Sequence, residues 1–123
     1  MLNPLARARG LGSAKQGVHH WYLQRATALL LIPLTAWLLY AMVRLSGAGY
    51  EAAMAFLSSP FHAACAVLLA VSGLYHAMLG LQVVIEDYVH TRSVDVTLQL
   101  AVKALGYAGM AFSAIYIFRL AIA

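Results

Sequence analysis

Three apolar stretches of bilayer length constrain this chain more than any other feature. A helix rises about 1.5 Å per residue and the hydrocarbon layer is about 30 Å thick, so roughly 20 apolar residues make one crossing. Tyr22 to Val43 is the first such stretch, and from Ala26 to Val43 it holds no charge. Phe61 to Ile85 is the second and Gln99 to Ala121 the third. Lys103 and Arg119 lie near the ends of the third, where long side chains reach the headgroups. In 123 residues that are 63% apolar and 10% charged, three crossings leave no room for a soluble domain. The expected fold class is an all-α membrane protein with three transmembrane helices. Residues 1–16 form a flexible basic tail and residues 17–123 one membrane domain.

A net charge of +4 would suggest nucleic acid in a soluble protein, but here its distribution sets orientation. Arg7, Arg9, Lys15 and Arg25 precede or open the first span, which predicts a cytoplasmic N-terminus. The loop from Arg44 to Pro60 is then outside, Glu86 to Leu98 inside, and the C-terminus outside. An acid-free basic leader also fits a transit or signal peptide. The first apolar run is too long for a signal core, however, and no small-residue cleavage site or soluble domain follows it.

Punctuation along the chain supports this layout. Trp21 and Tyr22 sit where one interface should lie, and Trp37 and Tyr40 lie toward the other. Pro33 removes a backbone donor in mid-span and predicts a kink. Tyr50 to Leu57, in the first loop, has the composition of a short helix lying on the membrane surface. Ser58-Ser59-Pro60 restarts the chain, since proline suits the first turn of a helix. Gly106, Gly109 and Ser113 predict close helix packing in the third span. Cys65 is the single cysteine, so neither an intrachain disulfide nor a cysteine metal cluster can form. No internal repeat, phosphate loop or nucleophile–base pair is present.

The chemistry is left to the histidines and to the end of the second span. His76 lies ten residues before Glu86, about 15 Å at the helical rise, which puts it near mid-membrane. An ionisable group at that depth is a functional-site candidate. Ser72 and Gly80, one turn to either side, are small enough for a flat macrocycle to approach. Imidazole is a common axial ligand of haem iron. A hydrogen bond to a neighbouring helix explains the same residue, and spacing alone leaves both readings open. No second histidine lies at the same depth, so a second axial ligand would come from another polypeptide. His62, fourteen residues earlier, returns to within about 40° of the same face and opens a two-haem reading. It sits about 21 Å away at the edge of the span, which favours an interfacial histidine without a ligand.

Asp87 is eleven residues beyond His76, about 20° off in azimuth and about 16 Å along the axis if the helix persists. Tyr88 beside it carries a phenol that can donate to a quinone carbonyl, and Asp87 could orient it or relay protons. Ordinary interface anchoring accounts for the same pair.

The run Tyr75-His76-Ala77-Met78-Leu79-Gly80-Leu81-Gln82-Val83-Val84-Ile85-Glu86-Asp87-Tyr88-Val89-His90 resembles the smaller cytochrome b membrane-anchor family of succinate dehydrogenase, respiratory complex II. The likeness lies in His, three residues, Gly, then Gln-Val and, three residues on, Asp-Tyr-Val. Gly17-Val18-His19 and Arg25-Ala26-Thr27-Ala28 extend it over the first span. The resemblance implies a three-helix anchor in the bacterial inner membrane, packed against a second three-helix anchor subunit beneath a flavoprotein subunit and an iron–sulfur subunit. Such a chain belongs to an enzyme but performs none of the succinate chemistry, which uses FAD and iron–sulfur clusters in the partner subunits. It further implies that His76 is an axial ligand of haem b, shared with the second anchor, and that Tyr88 contacts ubiquinone with Asp87 adjacent. Arg25 matches a family arginine, with a role near the haem propionates or the subunit interface. Glu86 stands where the family commonly has threonine, adding a negative charge beside the quinone pair. The contrasting class is a structural scaffold or assembly protein with no redox cofactor.

Overall fold

The computed structural model describes residues 4–5 and 14–123. Four helices account for the main part: α1 (Ala14–Leu45), α2 (Gly49–Leu57), α3 (Pro60–Tyr88) and α4 (Arg92–Ile122). Three of them are long and apolar enough to cross a membrane. Most of the tail expected over residues 1–16 lies outside the described residues, and α1 already begins at Ala14, before Gly17.

Each boundary has a local cause. Gly47 (φ +73°) and Gly49 (φ +78°) carry the turn after α1 in the left-handed region, which glycine enters without a Cβ clash. α2 follows at once, a helix of nine residues where the composition of the loop predicts a short one. Ser59 is extended and Pro60 takes the first helical position of α3, where its missing N–H costs little. Val89 and Thr91 are extended, and only residues 89–91 separate α3 from α4. α4 therefore starts seven residues before the apolar stretch opening at Gln99. Its polar first turns simply extend the backbone ladder, and Asp95 near the start and Arg119 near the end complement the helix dipole. α1 continues through Pro33, so the proline removes the donor for the Leu29 carbonyl without ending the helix.

α3 is the shared element. α1 and α4 each pack on it, and their backbones do not approach one another. On the α1 side, Gly73 faces Leu31 and Gly80 faces the Gln24 amide. On the α4 side, Gly106 lies against Met78 and Gly109 against Leu74. A Cβ built on Gly106 would sit 2.8 Å from Met78 Sδ and 3.3 Å from Met78 Cβ, so the two helices meet where one lacks a side chain. The enclosed residues among those described follow from this: Ser72, Met78, Leu79, Gln82 and Ile85 on α3, against Leu34 and Ala41 on α1 and Met110 on α4.

The outward surface is apolar, with Leu29, Ile32, Leu105 and Phe118 each at least 64% exposed. That surface suits lipid or partner helices, whereas water would penalise it heavily. At one end, Phe56 of α2 stacks on His62 of α3 with ring centroids 3.8 Å apart. Trp37 of α1 lies 6.2 Å from Phe56, so an aromatic cluster ties α2 to α1 and α3.

Candidate functional site

α3 is unbroken from Pro60 to Tyr88, which puts His76 in its middle, twelve residues and about 18 Å from Tyr88. The imidazole is half-buried against α1. Its Nδ1 lies 3.0 Å from Thr27 Oγ1. The same hydroxyl lies 2.8 Å from the Leu23 carbonyl oxygen and 3.0 Å from that of Gln24. A hydroxyl has one proton to donate, and these carbonyls of its own helix take it; Oγ1 then accepts from Nδ1–H. With the hydroxyl proton so placed, His76 takes the Nδ1–H tautomer and Nε2 is left unprotonated.

Nε2 has no hydrogen-bond partner among the described residues. Nor is it among the enclosed unpartnered side-chain atoms, which among the described residues are His20 Nε2 and Asp95 Oδ1. Its lone pair therefore reaches the surface of the chain at mid-helix depth. Among the described residues no group of three or more His, Cys, Asp or Glu side chains gathers to hold a metal ion. A lone imidazole fits a metal that brings its own equatorial donors, as haem iron does, better than a bare ion. The donor set around His76 thus fits haem, which His76 would ligate through one imidazole nitrogen.

The small neighbours of His76 take part in helix packing within this chain. Gly80 is turned to Gln24 of α1, and Ser72 is 4% exposed with its hydroxyl bonded back to the Leu68 carbonyl. Both let helices of this chain come together, because α1 crosses α3 on that side.

Asp87 and Tyr88 close α3, both exposed, with Tyr88 at 80%. Because the helix persists, Asp87 does continue the His76 face to within about 20°. Tyr88 lies about 100° further round, in an exposed stripe with Ala77, Leu81 and Val84. Glu86 does not join this pair. It lines a cleft of about 1150 Å³ on a different side of α3, with Tyr75 and Gln82, His20 of α1, and Asp95 and Gln99 of α4. The amide of Gln99 donates to the Gln82 carbonyl there, at 3.3 Å. Apolar length does not reveal this cleft; its signal in the sequence is Asp95, Gln99, Lys103 and Tyr107, which recur every four residues as a polar stripe. Nor does spacing single out Thr27 as a partner of His76, although it is the sole polar side chain from Ala26 to Leu34.

Arg25 lies two residues from Thr27, about 200° round α1 and so on the far side from His76. Its guanidinium sits 5.6 Å from the Trp21 ring centroid, a cation–π distance. At His62 the logic of His76 is inverted. The Trp37 indole, a donor only, bonds to Nδ1 at 3.0 Å, so neutral His62 carries its proton on Nε2 and has no lone pair there for a metal.

Residues 1–116 match the family described as the succinate dehydrogenase/fumarate reductase transmembrane subunit. Among individual proteins, the chain is similar to a succinate dehydrogenase hydrophobic membrane anchor subunit of Rickettsia bellii, 40% identical over 80% of this chain and 79% of that one. A protein of the same description in Paracoccus denitrificans is 31% identical over 71% of this chain and 67% of its own length. A succinate dehydrogenase membrane anchor subunit of Reclinomonas americana is 35% identical, over 76% and 84% of the two chains. A membrane-length helix trio with a lone mid-helix imidazole is thus joined by sequence kinship over nearly its full extent, and the chain belongs to the succinate dehydrogenase/fumarate reductase transmembrane subunit family.

Proposed function

We propose that this chain is the haem-ligating, quinone-contacting anchor of a succinate:ubiquinone oxidoreductase in a bacterial inner membrane, with its N-terminus in the cytoplasm. With a second three-helix anchor, it holds the flavoprotein and iron–sulfur subunits at the membrane. Succinate is oxidised in those subunits, and electrons arrive here through their FAD and iron–sulfur clusters. The observation that carries the reading is at His76: Nδ1 is committed to Thr27 and Nε2 is left open at mid-helix depth.

Haem b, when bound, supplies a one-electron centre within the membrane. His76 Nε2 would hold it from this side, and a histidine of the second anchor from the other. Ubiquinone would lie nearer the cytoplasm, where the Tyr88 phenol donates to a carbonyl oxygen and Asp87 orients the phenol or passes it a proton. The exposure of Tyr88 supports a site completed by neighbouring subunits, since this chain alone encloses nothing around the phenol. Arg25, turned away from His76, suits the subunit interface better than the propionates.

Mild-detergent purification of the tagged chain tests the reading. Flavin, iron–sulfur clusters and one haem should co-purify, with a reduced-minus-oxidised cytochrome b spectrum. The chain emerging from intact membranes with no chromophore would make it a structural scaffold instead.

A further inference from the structure

We infer that Thr27 is a positioning residue for the haem ligand: its hydroxyl holds His76 in the Nδ1–H tautomer and keeps Nε2 free to bind iron. This rests on the haem reading of His76 above.

The alternative protonation is worse on two counts. If Thr27 donated to Nδ1, its oxygen would face the Leu23 and Gln24 carbonyls at 2.8 and 3.0 Å with no proton between them. His76 would then carry its proton on Nε2, directed away from any acceptor of this chain at a depth without water. The inferred arrangement places both protons in bonds and leaves only a lone pair outward.

The contact also sits inside the packing of α1 on α3. Gln24, Thr27 and Leu31 recur at i, i+3 and i+7 on α1 and meet Gly80, His76 and Gly73 of α3. Side-chain atoms of Gln24 and Leu31 stand 3.9 Å from where a Cβ on Gly80 or Gly73 would lie, ordinary packing contact on either side of the Thr27–His76 pair. At the far end of the same helix pair Trp37 imposes the opposite tautomer on His62. Which atom of α1 meets Nδ1 therefore decides, separately at each end, whether an imidazole on α3 can serve as a ligand.

A hydrogen bond from Nδ1–H makes the opposite nitrogen a stronger donor, and such partners hold ligating histidines in orientation. A stronger donor favours ferric over ferrous iron and lowers the haem midpoint potential. Loss of the hydroxyl should raise the potential and loosen the haem, by about 10-fold or more in affinity, as is general for partners of this kind.

The experiment uses the purified whole complex carrying Thr27→Val, Thr27→Ala, Thr27→Ser or His76→Ala, with haem per flavin and the midpoint potential as readouts. Thr27→Val and Thr27→Ala should shift the potential upward and lower haem retention, and Thr27→Ser should stay with the parent. If Thr27→Val fails to assemble, the contrast between Thr27→Ala and Thr27→Ser decides. The inference is overturned if Thr27→Val and Thr27→Ala match the parent, or if Thr27→Ser shifts as far as they do, while His76→Ala loses haem. Haem retained in His76→Ala would instead remove the haem reading, and the role of Thr27 with it.

Discussion

The Trp37 indole N–H donates to Nδ1 of His62 at 3.0 Å. Phe56 stacks on the same imidazole at 3.8 Å, so His62 is a structural part of the aromatic cluster that fastens α2. Replacing His62 by Gln should leave haem per flavin unchanged. Removing the Trp37 bond should cost about 1 kcal/mol, seen as a modest drop in the thermal midpoint of the complex. Haem per flavin falling by half in His62→Gln would establish a two-haem anchor.

At His76 the expected loss is of a different kind. His76→Ala removes the mid-helix imidazole and should strip or greatly reduce the haem b absorbance of purified complex, measured against flavin. An unchanged spectrum and haem content would contradict ligation by this residue.

Tyr88→Phe deletes only a hydroxyl from a side chain that this chain leaves 80% exposed, so folding of the anchor should be untouched. Quinone reductase activity should fall about tenfold, the equivalent of one hydrogen bond of about 1.4 kcal/mol at the reacting oxygen. Succinate oxidation with an artificial dye as acceptor should survive. Equal loss of both activities would point to failed assembly.

Gly106→Val drives a branched side chain into Met78, whose Cβ already lies 3.3 Å from the position of a first added carbon. Overpacking of this kind costs roughly 1–3 kcal/mol, so the variant should lose thermal stability. Gly17→Val, at a helical glycine with nothing within 4 Å, is the matched control and should lose no stability. Similar losses in both would mean that α3 and α4 do not meet at Gly106.

Much of this architecture is legible in the sequence because a bilayer imposes a length. The stretches from Tyr22, Phe61 and Gln99 each fall within one helix, and Pro60 at the head of α3 follows from the chemistry of the first turn. The depth of His76 needs only a rise per residue. Its partner Thr27, by contrast, depends on how two helices cross, and no periodicity within either one reports that. Glu86 shows the same limit from another direction. It adjoins Asp87 in sequence, but one helical step turns a side chain by about 100°, which puts Glu86 into the cleft and leaves Asp87 on the His76 face. The early start of α4 is hidden because Arg92, Ser93, Asp95 and Thr97 interrupt the apolar residues there, and apolar length marks only the part of a helix that lies in hydrocarbon.

α3 presents a different neighbour on each of its sides, and all of them are registered by one rigid screw. Changing the identity of a residue on this helix affects one side. Inserting or deleting a single residue between His76 and Tyr88 would rotate every later position by about 100° and displace it by about 1.5 Å. Gln82 would swing out of its packing, Glu86 out of the cleft and Asp87 off its face, all in one genetic event. The segment can therefore drift in composition while its length stays locked, and an indel scan across residues 77–87 should prove far less tolerated than substitution at the same sites.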